Sequence, residues 1–412
     1  MGATIKHINI KGIDVPVVFE QDKSLPILNL QLVFANSGYI QDNKNSGLAS
    51  ISAKLLNEGT KKIGSTRFAE KLENSAISLQ SNIGFETFVI ELSSLKDVHE
   101  KALVLLKDLL KDPNYDKKVL EKIKTLQKGS LKRKENDYDY IASQNLKKIL
   151  FKDSALENPS LGTQESLSKI NLSDVKKFLT NALDINNLII VVGGDFEYDE
   201  IISKIKKSLK VLNADSKNSS KEIKTVSQTQ IKEIKKDTQQ AYIYFGSPFN
   251  IDVKDQDVYM AKVASFILGG SGFGSRLMEE IRVKRGLAYS AYGYISMNKT
   301  YSYFTGYLQT KLESADEAKS LVETLVEEFV KNGVTKEELD SAKKFLLGSE
   351  PLRTETLSQR LNRAFTLFYR GLPQDYNKKE LEKIESLKLE DLNNYIKSHK
   401  EINKLSFSIV RR

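Results

Sequence analysis

The chain repeats itself, and that constrains its fold more than any other feature. Leu167-Ser-Lys-Ile-Asn-Leu-Ser-Asp-Val-Lys-Lys-Phe178 is echoed by Ile384-Glu-Ser-Leu-Lys-Leu-Glu-Asp-Leu-Asn-Asn-Tyr395. Asp97–Leu110 resembles Glu313–Val326, with Ala102/Ala318, Leu105/Leu321 and Leu109/Leu325 in step. Tyr115–Ser130 resembles Val334–Ser349, down to a shared Gly-Ser at its end. The offsets all fall between 216 and 219 residues, so one unit of about 200 residues is present twice in a chain of 412. A polar run, Asn213-Ala-Asp-Ser-Lys-Asn-Ser-Ser-Lys221, marks the joint. The pattern predicts an N-terminal domain over 1–212, a linker over 213–238 and a C-terminal domain over 239–412.

Within each half, strand patterns come first and helix patterns follow. Leu28, Leu30, Leu32 and Phe34 alternate, as do Phe85–Leu92 and Tyr301–Leu308. Val98–Leu110 and Ala315–Val330 carry helical spacing, as does Tyr198–Leu212. Leu188–Val192 and Leu405–Val410 read as closing strands. The expected class is α+β: two homologous domains, each a mixed, mostly antiparallel sheet with helices packed on one face.

Composition narrows the function. Without cysteine the chain has neither disulfides nor a thiol nucleophile. The net charge of +9 comes mainly from lysines interspersed with acids along helices, the look of a solvated surface. The most basic stretch, Lys122–Lys134, lacks the interleaved aromatics of a stacking surface, so nucleic acid is not an expected partner. No apolar run is long enough to span a bilayer. Met-Gly-Ala-Thr-Ile-Lys-His7 lacks a signal core and runs at once into a strand pattern, Ile5 to Ile10. The expected compartment is the periplasm, after removal of a leader, with the cytoplasm as the alternative.

The chemically informative segment is Leu268-Gly-Gly-Ser-Gly-Phe-Gly-Ser-Arg-Leu277, followed by Met-Glu-Glu-Ile and then Arg282-Val-Lys-Arg-Gly-Leu-Ala-Tyr289. Gly269, Gly270, Gly272 and Gly274 make a loop whose amides can approach a ligand closely. Ser275 is placed to cap a helix carrying Arg276, Leu277, Ile281 and Arg282. Leu287 to Ile295 then alternates as a strand. A guanidinium and a phenol thus stand seven residues apart across a helix-to-strand turn, and the two together can bind a polarised carbonyl or a peptide backbone. Structurally, an Arg on a last helical turn also binds carbonyls, and a strand Tyr is often half-buried. Arg285 is the nearest competitor for Arg282. Tyr292, Tyr294, Tyr301, Tyr303 and Tyr307 read as sheet packing, with a peptide groove as the other reading.

This segment resembles the second-domain signature of the pitrilysin/insulysin peptidases, the inverted-zinc-motif family that includes mitochondrial processing peptidase. The resemblance extends over nearly the whole chain and is most specific from Gly269 to Tyr289. It implies a half-clamshell of two similar domains. It implies that Arg282 and Tyr289 bind substrate backbone and stabilise a tetrahedral intermediate, with the glycine run beside the peptide. The first domain then carries a negative signal. Gly47-Leu-Ala-Ser50-Ile-Ser-Ala53-Lys54 has the frame of the family's zinc helix, but Ser50, Ala53 and Lys54 stand where active members place His, Glu and His. An ammonium about 4 Å from a dication would cost roughly 8 kcal/mol at an effective dielectric near 20. The stretch Lys122–Lys134, where the third ligand would lie, holds no carboxylate. Read without the family, Ser50 and Lys54 belong to an exposed helix face, while Leu48, Ile51 and Leu55 are core. His7, His99 and His399 are too far apart in sequence to make a local site and read as surface residues. Arg353, Arg360 and Arg363, on the helix pattern Leu352–Phe368, read as a solvated face.

The expectation is a metallopeptidase-family chain that binds no cofactor, is inactive alone, and lends Arg282 and Tyr289 to a zinc site on a homologous partner subunit acting on peptides. The alternative is a non-catalytic scaffold or peptide-binding protein of the same fold.

Overall fold

The computed structural model describes residues 2–42, 45–272 and 274–412; Phe273 of the glycine run lies outside the described residues. In chain order the strands are β1 (Thr4–Ile10), β2 (Ile13–Gln21), β3 (Ile27–Ala35), β4 (Ser78–Ile83), β5 (Thr87–Leu95), β6 (Leu188–Gly194), β7 (Ile231–Lys235), β8 (Gln240–Pro248), β9 (Ala288–Met297), β10 (Ser302–Lys311) and β11 (Ser406–Arg411). The α-helices of the first half are α1 (Leu48–Leu56), α2 (Gly64–Glu73), α3 (His99–Lys111), α4 (Lys117–Lys134), α5 (Tyr138–Leu150), α6 (Gln164–Lys169), α7 (Leu172–Ala182) and α8 (Tyr198–Leu209). Those of the second are α9 (Val258–Ser265), α10 (Ala315–Asn332), α11 (Lys336–Gly348), α12 (Leu357–Arg370), α13 (Tyr376–Ser386) and α14 (Leu389–Ser398).

Two compact units result, and neither is a single stretch of chain. The first holds Met1–Lys132, Asn158–Ser220 and Arg353–Thr366; the second holds Arg133–Glu157, Lys221–Leu352 and Leu367–Arg412. Each unit therefore includes a segment from the other half of the chain, and the two segments lie at equivalent points of the repeat.

In the first unit the sheet order among the described residues is β1-β2-β6-β3-β5-β4, antiparallel except where β2 meets β6. In the second it is β7-β11-β8-β10-β9, antiparallel except where β7 meets β11. This is the mixed, mostly antiparallel architecture expected from the sequence. The alternating residues of β3 and β5 (Leu30, Leu32, Phe34, Phe88, Ile90, Leu92) face Ile51, Leu55, Leu106 and Ile205 in the first core. The second core repeats the arrangement with Ile243, Phe245, Phe304 and Phe407 against Val322 and Val326. Cores of this size hold each sheet flat against its helices by removing apolar surface from water.

A helix also lies on the opposite face of each sheet, and this was not expected. In the first unit Leu357 and Leu361 of α12 fit over Gly193; a Cβ there would stand 2.9 Å from Leu361. In the second, Leu146 and Leu150 of α5 fit over Gly246 in the same manner, with 2.8 Å to Leu150. Glycine at these two points lets the helices approach the backbone. Arg360, read from sequence as part of a solvated face, is instead an anchor: its guanidinium donates to Glu20 at 2.6 Å and Asp22 at 2.7 Å, and Glu20 is only 3% exposed.

Two local details differ from the sequence reading. The repeated segment Leu167–Phe178 spans two helices, since α6 ends at Lys169 and Asn171 caps α7 in a capping box with Asp174, and its counterpart divides likewise between α13 and α14. The joint up to Ser220 is also not loose: Asp184 accepts from the amides of Asp215 and Ser216, and Asn187 accepts from that of Asn218.

Candidate functional site

In the first unit the place to look is α1. Its start is fixed by Asp42, whose carboxylate accepts from the amides of Gly47 at 2.8 Å and Ala49 at 2.7 Å. Asp42 is 6% exposed, and burial pushes its carboxyl up to about 7 against the pull of those two amides. Gly47 takes φ +93°, which the turn into the helix requires. At the other end Asn57 brackets Ser81 of β4, accepting from its amide at 2.6 Å and donating to its carbonyl at 3.1 Å. The Ser81 hydroxyl donates to the carbonyl of Ala53 at 2.7 Å. The helix is thus held at a fixed rotation over the edge strand.

That rotation brings Ser50 and Lys54 to one residue, Gln127 of α4. The Ser50 hydroxyl donates to Gln127 Oε1 at 3.3 Å, and the Lys54 ammonium donates to the same oxygen at 2.7 Å. Gln127 is 1% exposed and is oriented by its own amide, which donates to the Leu161 carbonyl at 2.7 Å. Ser50 is itself only 4% exposed, so the expected exposed helix face is corrected for Ser50. Lys54 is exposed as a residue, but loss of water around its ammonium holds its pKa below the usual lysine value. Ala53 is 3% exposed and offers only a methyl.

These residues do not fit zinc. A hydroxyl, an ammonium and a neutral amide replace two imidazoles and a carboxylate. The one oxygen a cation could use, Gln127 Oε1, already accepts two hydrogen bonds. Among the described residues no group of three His, Cys, Asp or Glu side chains could hold a metal ion.

Sequence reading missed Gln127. The signal was present, since Leu120, Ile123 and Gln127 recur at helical spacing and so predict an amide on the buried stripe of a lysine-rich helix.

The histidines lie elsewhere. His7 is exposed and pairs with Asp14 at 2.8 Å. His99 is buried rather than on the surface, between the Lys96 carbonyl at 2.5 Å and the Lys204 ammonium at 2.9 Å. His399 stacks on Phe249 at 4.4 Å and pairs with Glu401 at 2.8 Å.

In the second unit the glycine run divides into two roles. Phe266–Gly270 forms a wide π-type turn that lies on β9. Gly269 is buried there: a Cβ would stand 2.5 Å from the amide nitrogen of Gly293. Its close approach is therefore to the protein's own strand. Gly270 is exposed, with the Ser265 carbonyl 3.0 Å from where a Cβ would lie. Gly272 and Gly274 take φ +68° and +88° and turn the chain, and around Gly274 the space is open. Ser275 starts the next helix by its backbone, its carbonyl accepting from Glu279 at 2.9 Å, but its hydroxyl turns back to the Gly272 carbonyl at 2.7 Å and caps no amide.

A second π-type segment, Met278–Val283, carries Arg282 in its last turn. Gly286, at φ +62°, reverses the chain into β9. The guanidinium of Arg282 then lies over the ring of Tyr289, 4.7 Å from its centroid. Tyr289 is 81% exposed, so it is not the half-buried strand tyrosine of the structural reading. Arg285 is tied down: Glu280 accepts from it at 2.5 Å and also takes Lys284 at 2.5 Å, and the two cations hold the Glu280 carboxyl below its usual range.

The neighbouring tyrosines fall into two sets. Tyr301 and Tyr303 pack on Phe151 with ring centroids 5.7 and 5.0 Å away. Tyr307 stands in register between Tyr244 and Tyr292, at ring distances of 5.4 and 5.5 Å, and Tyr244 donates to Asp139 at 3.2 Å. Tyr294 is 47% exposed.

Residues 17–164 match the family model described as Insulinase (Peptidase family M16), and residues 169–346 match Peptidase M16 inactive domain. A Helicobacter pylori protein named Non-peptidase homolog YmxG is 43% identical over 99% of this chain and 94% of its own length. The Mitochondrial-processing peptidase subunit beta of Dictyostelium discoideum is 25% identical over 47% of this chain and 41% of its own length. Among solved structures, a peptidase M16 inactive domain from Pseudomonas fluorescens superposes with a TM-score of 0.89 at 25% identity, covering 99% of this chain and 98% of the other.

Proposed function

The chain belongs to peptidase family M16, among members without the zinc motif, and from that premise we propose that it is the non-metal subunit of a two-chain peptidase. In this reading the chain cleaves no peptide alone and lends Arg282 and Tyr289 to the metal site of a homologous subunit that carries the intact His-x-x-Glu-His. Arg282 binds the carbonyl of an extended peptide. Tyr289 donates a hydrogen bond to the oxygen on which negative charge develops, a contribution typically worth about 2.7–4 kcal/mol of barrier.

One observation carries the reading. Arg282 and Tyr289 remain together, 4.7 Å apart, and Tyr289 has most of its surface open to solvent although a large aromatic side chain gains by burial. Gly272 and Gly274 shape the adjoining turn and so can lie beside the bound peptide. Gly269 sets the preceding turn against Gly293 of β9, and Gly270 joins the two turns. The compartment proposed is the periplasm.

The test is reconstitution. The purified chain should take up no stoichiometric zinc and cleave no peptide. Mixed with an M16 chain that carries the zinc motif and copurifies with it from the native cell, it should raise peptide turnover. Arg282→Ala or Tyr289→Phe should lower that turnover roughly 100-fold. A mixture whose turnover ignores both substitutions would leave the chain as a scaffold, and the proposal would fall.

A further inference from the structure

The solvent face of α4 is cationic beyond anything the fold requires. The helix turns Leu120, Ile123, Lys124 and Gln127 inward, and it exposes Lys118, Lys122, Lys132 and Arg133 along its outer side. Among the described residues Lys118, Lys132 and Arg133 make no ion pair, and Lys122 reaches only Glu58 at 3.5 Å. The single acid of the helix, Glu121, pairs with the inward Lys124 at 3.1 Å and so does not neutralise the row. Leu126 sits on the same side, 63% exposed.

The duplicated half supplies an internal control. The counterpart of α4 is α11, which carries Lys336, Lys343 and Lys344 with Glu337 and Asp340, Asp340 pairing with Lys336, while a third acid, Glu338, holds Arg276. Phe345 of α11 is the counterpart of Leu126; it is 54% exposed and has Phe266 against it at 5.0 Å. The helix position therefore tolerates balanced charge. The basic row of α4 has in addition the small cost of like charges one turn apart, as at Lys118 and Lys122.

The chemistry of the row selects its partner. Lysine ammoniums are compact, hydrated point charges without the fork that reads one carboxylate or phosphate, so they suit a diffuse field of negative charge. Thr125 and Gly129, between the lysines, let a flat surface come close, and Leu126 can enter its apolar layer. Among the described residues no helix is long and apolar enough to cross a membrane, so contact of this kind would be peripheral. We propose that the outer face of α4 docks the protein on an anionic lipid surface.

Cosedimentation of the full chain with vesicles tests this. The protein should pellet with phosphatidylglycerol-rich vesicles at low salt, stay in solution with pure phosphatidylcholine, and release as salt rises. Lys118→Glu, Lys122→Glu and Lys132→Glu together should weaken binding by at least about 100-fold, at roughly fivefold for each lysine lost. Leu126→Ser should weaken it by about fivefold to tenfold. Lys343→Glu with Lys344→Glu on α11 should change it little, and unfolding curves identify any variant that has lost its fold. No binding to anionic vesicles at low salt, or equal loss from the α11 pair, would overturn the proposal. Equal retention on polyglutamate would overturn it too, giving the face to an acidic protein instead.

Discussion

Lys54 and Arg282 are both cations beside a polar or aromatic side chain, and the two neighbours differ in kind. Lys54 gives its ammonium to Gln127, an amide that is 1% exposed, fixed by Leu161 and shared with Ser50. Arg282 lies over Tyr289, a phenol that is 81% exposed. The first set is closed, each member satisfying another. In the second, a large side chain stands where water reaches it. A fold that had simply lost its chemistry would gain by closing both regions, since buried polar groups favour partners and aromatic surface favours burial. The difference separates a set closed within the chain from a pair that, under the proposed function, serves a substrate on a partner subunit.

The largest expected effect comes from reopening the closed set. Ser50→His, Lys54→His and Gln127→Glu would place two imidazoles and a carboxylate where the three side chains already converge. Zinc affinity should rise on the order of 10³-fold over the parent chain, read by titration against a competing chelator. No gain in a variant that still folds would mean that the convergence on Gln127 is not metal-site geometry.

The next effect concerns the start of the same helix. Asp42 titrates near 7 in the folded chain, against 3.8 when unfolded. Below about pH 4 both states hold the proton and nothing is lost. Between about 4 and 7 the unfolded chain releases a proton that the folded chain keeps, so stability falls as pH rises. Above about 7 both are ionised and the dependence ends. The loss across this window should be on the order of 4 kcal/mol. Urea unfolding at pH 5 and pH 8 should show it in the parent chain and not in Asp42→Asn. An identical pH slope in the variant would assign it to other groups.

Gln127→Ala follows. It strips the Ser50 hydroxyl, the Lys54 ammonium and the Leu161 carbonyl of their shared partner, and should cost about 2 kcal/mol by urea unfolding. A neutral result would show that water replaces the amide and that the set is not closed.

How much of this was legible follows from the range of each signal. Arg282 and Tyr289 could be paired from sequence because one helix turn and one reversal lie between them. Ser50, Lys54 and Gln127 could not, because 77 and 73 residues separate the glutamine from its donors. The buried stripe of α4 announced an inward amide without saying what it would meet. The duplication and the strand patterns were readable because alternation and helical spacing report which side of an element is buried. They do not report which sheet buries it, so the placement of α5 on the second sheet and α12 on the first stayed hidden. Arg360 looked solvated for that reason: nothing near it in sequence foretells Glu20 and Asp22. Asp184 and Asn187, which pin the joint, lie about 30 residues before the amides they hold.

The smallest expected effect is the sharpest probe of the comparison. A side chain retained for the fold weakens the fold when cut; one retained for a partner does not. Tyr289→Phe removes only a hydroxyl from an exposed ring and leaves the stacking with Arg282, so stability should move by less than about 0.5 kcal/mol. The cation–π contact that Arg282→Ala removes from the exposed Tyr289 ring is worth about 0.5–1 kcal/mol. Paired measurements of unfolding and of turnover in the reconstituted mixture decide the matter. Stability held while turnover collapses would mark the pair as kept for the partner's substrate. A drop of several kcal/mol on Tyr289→Phe would instead place that hydroxyl within this chain's own structure, and the contrast between the two regions would vanish.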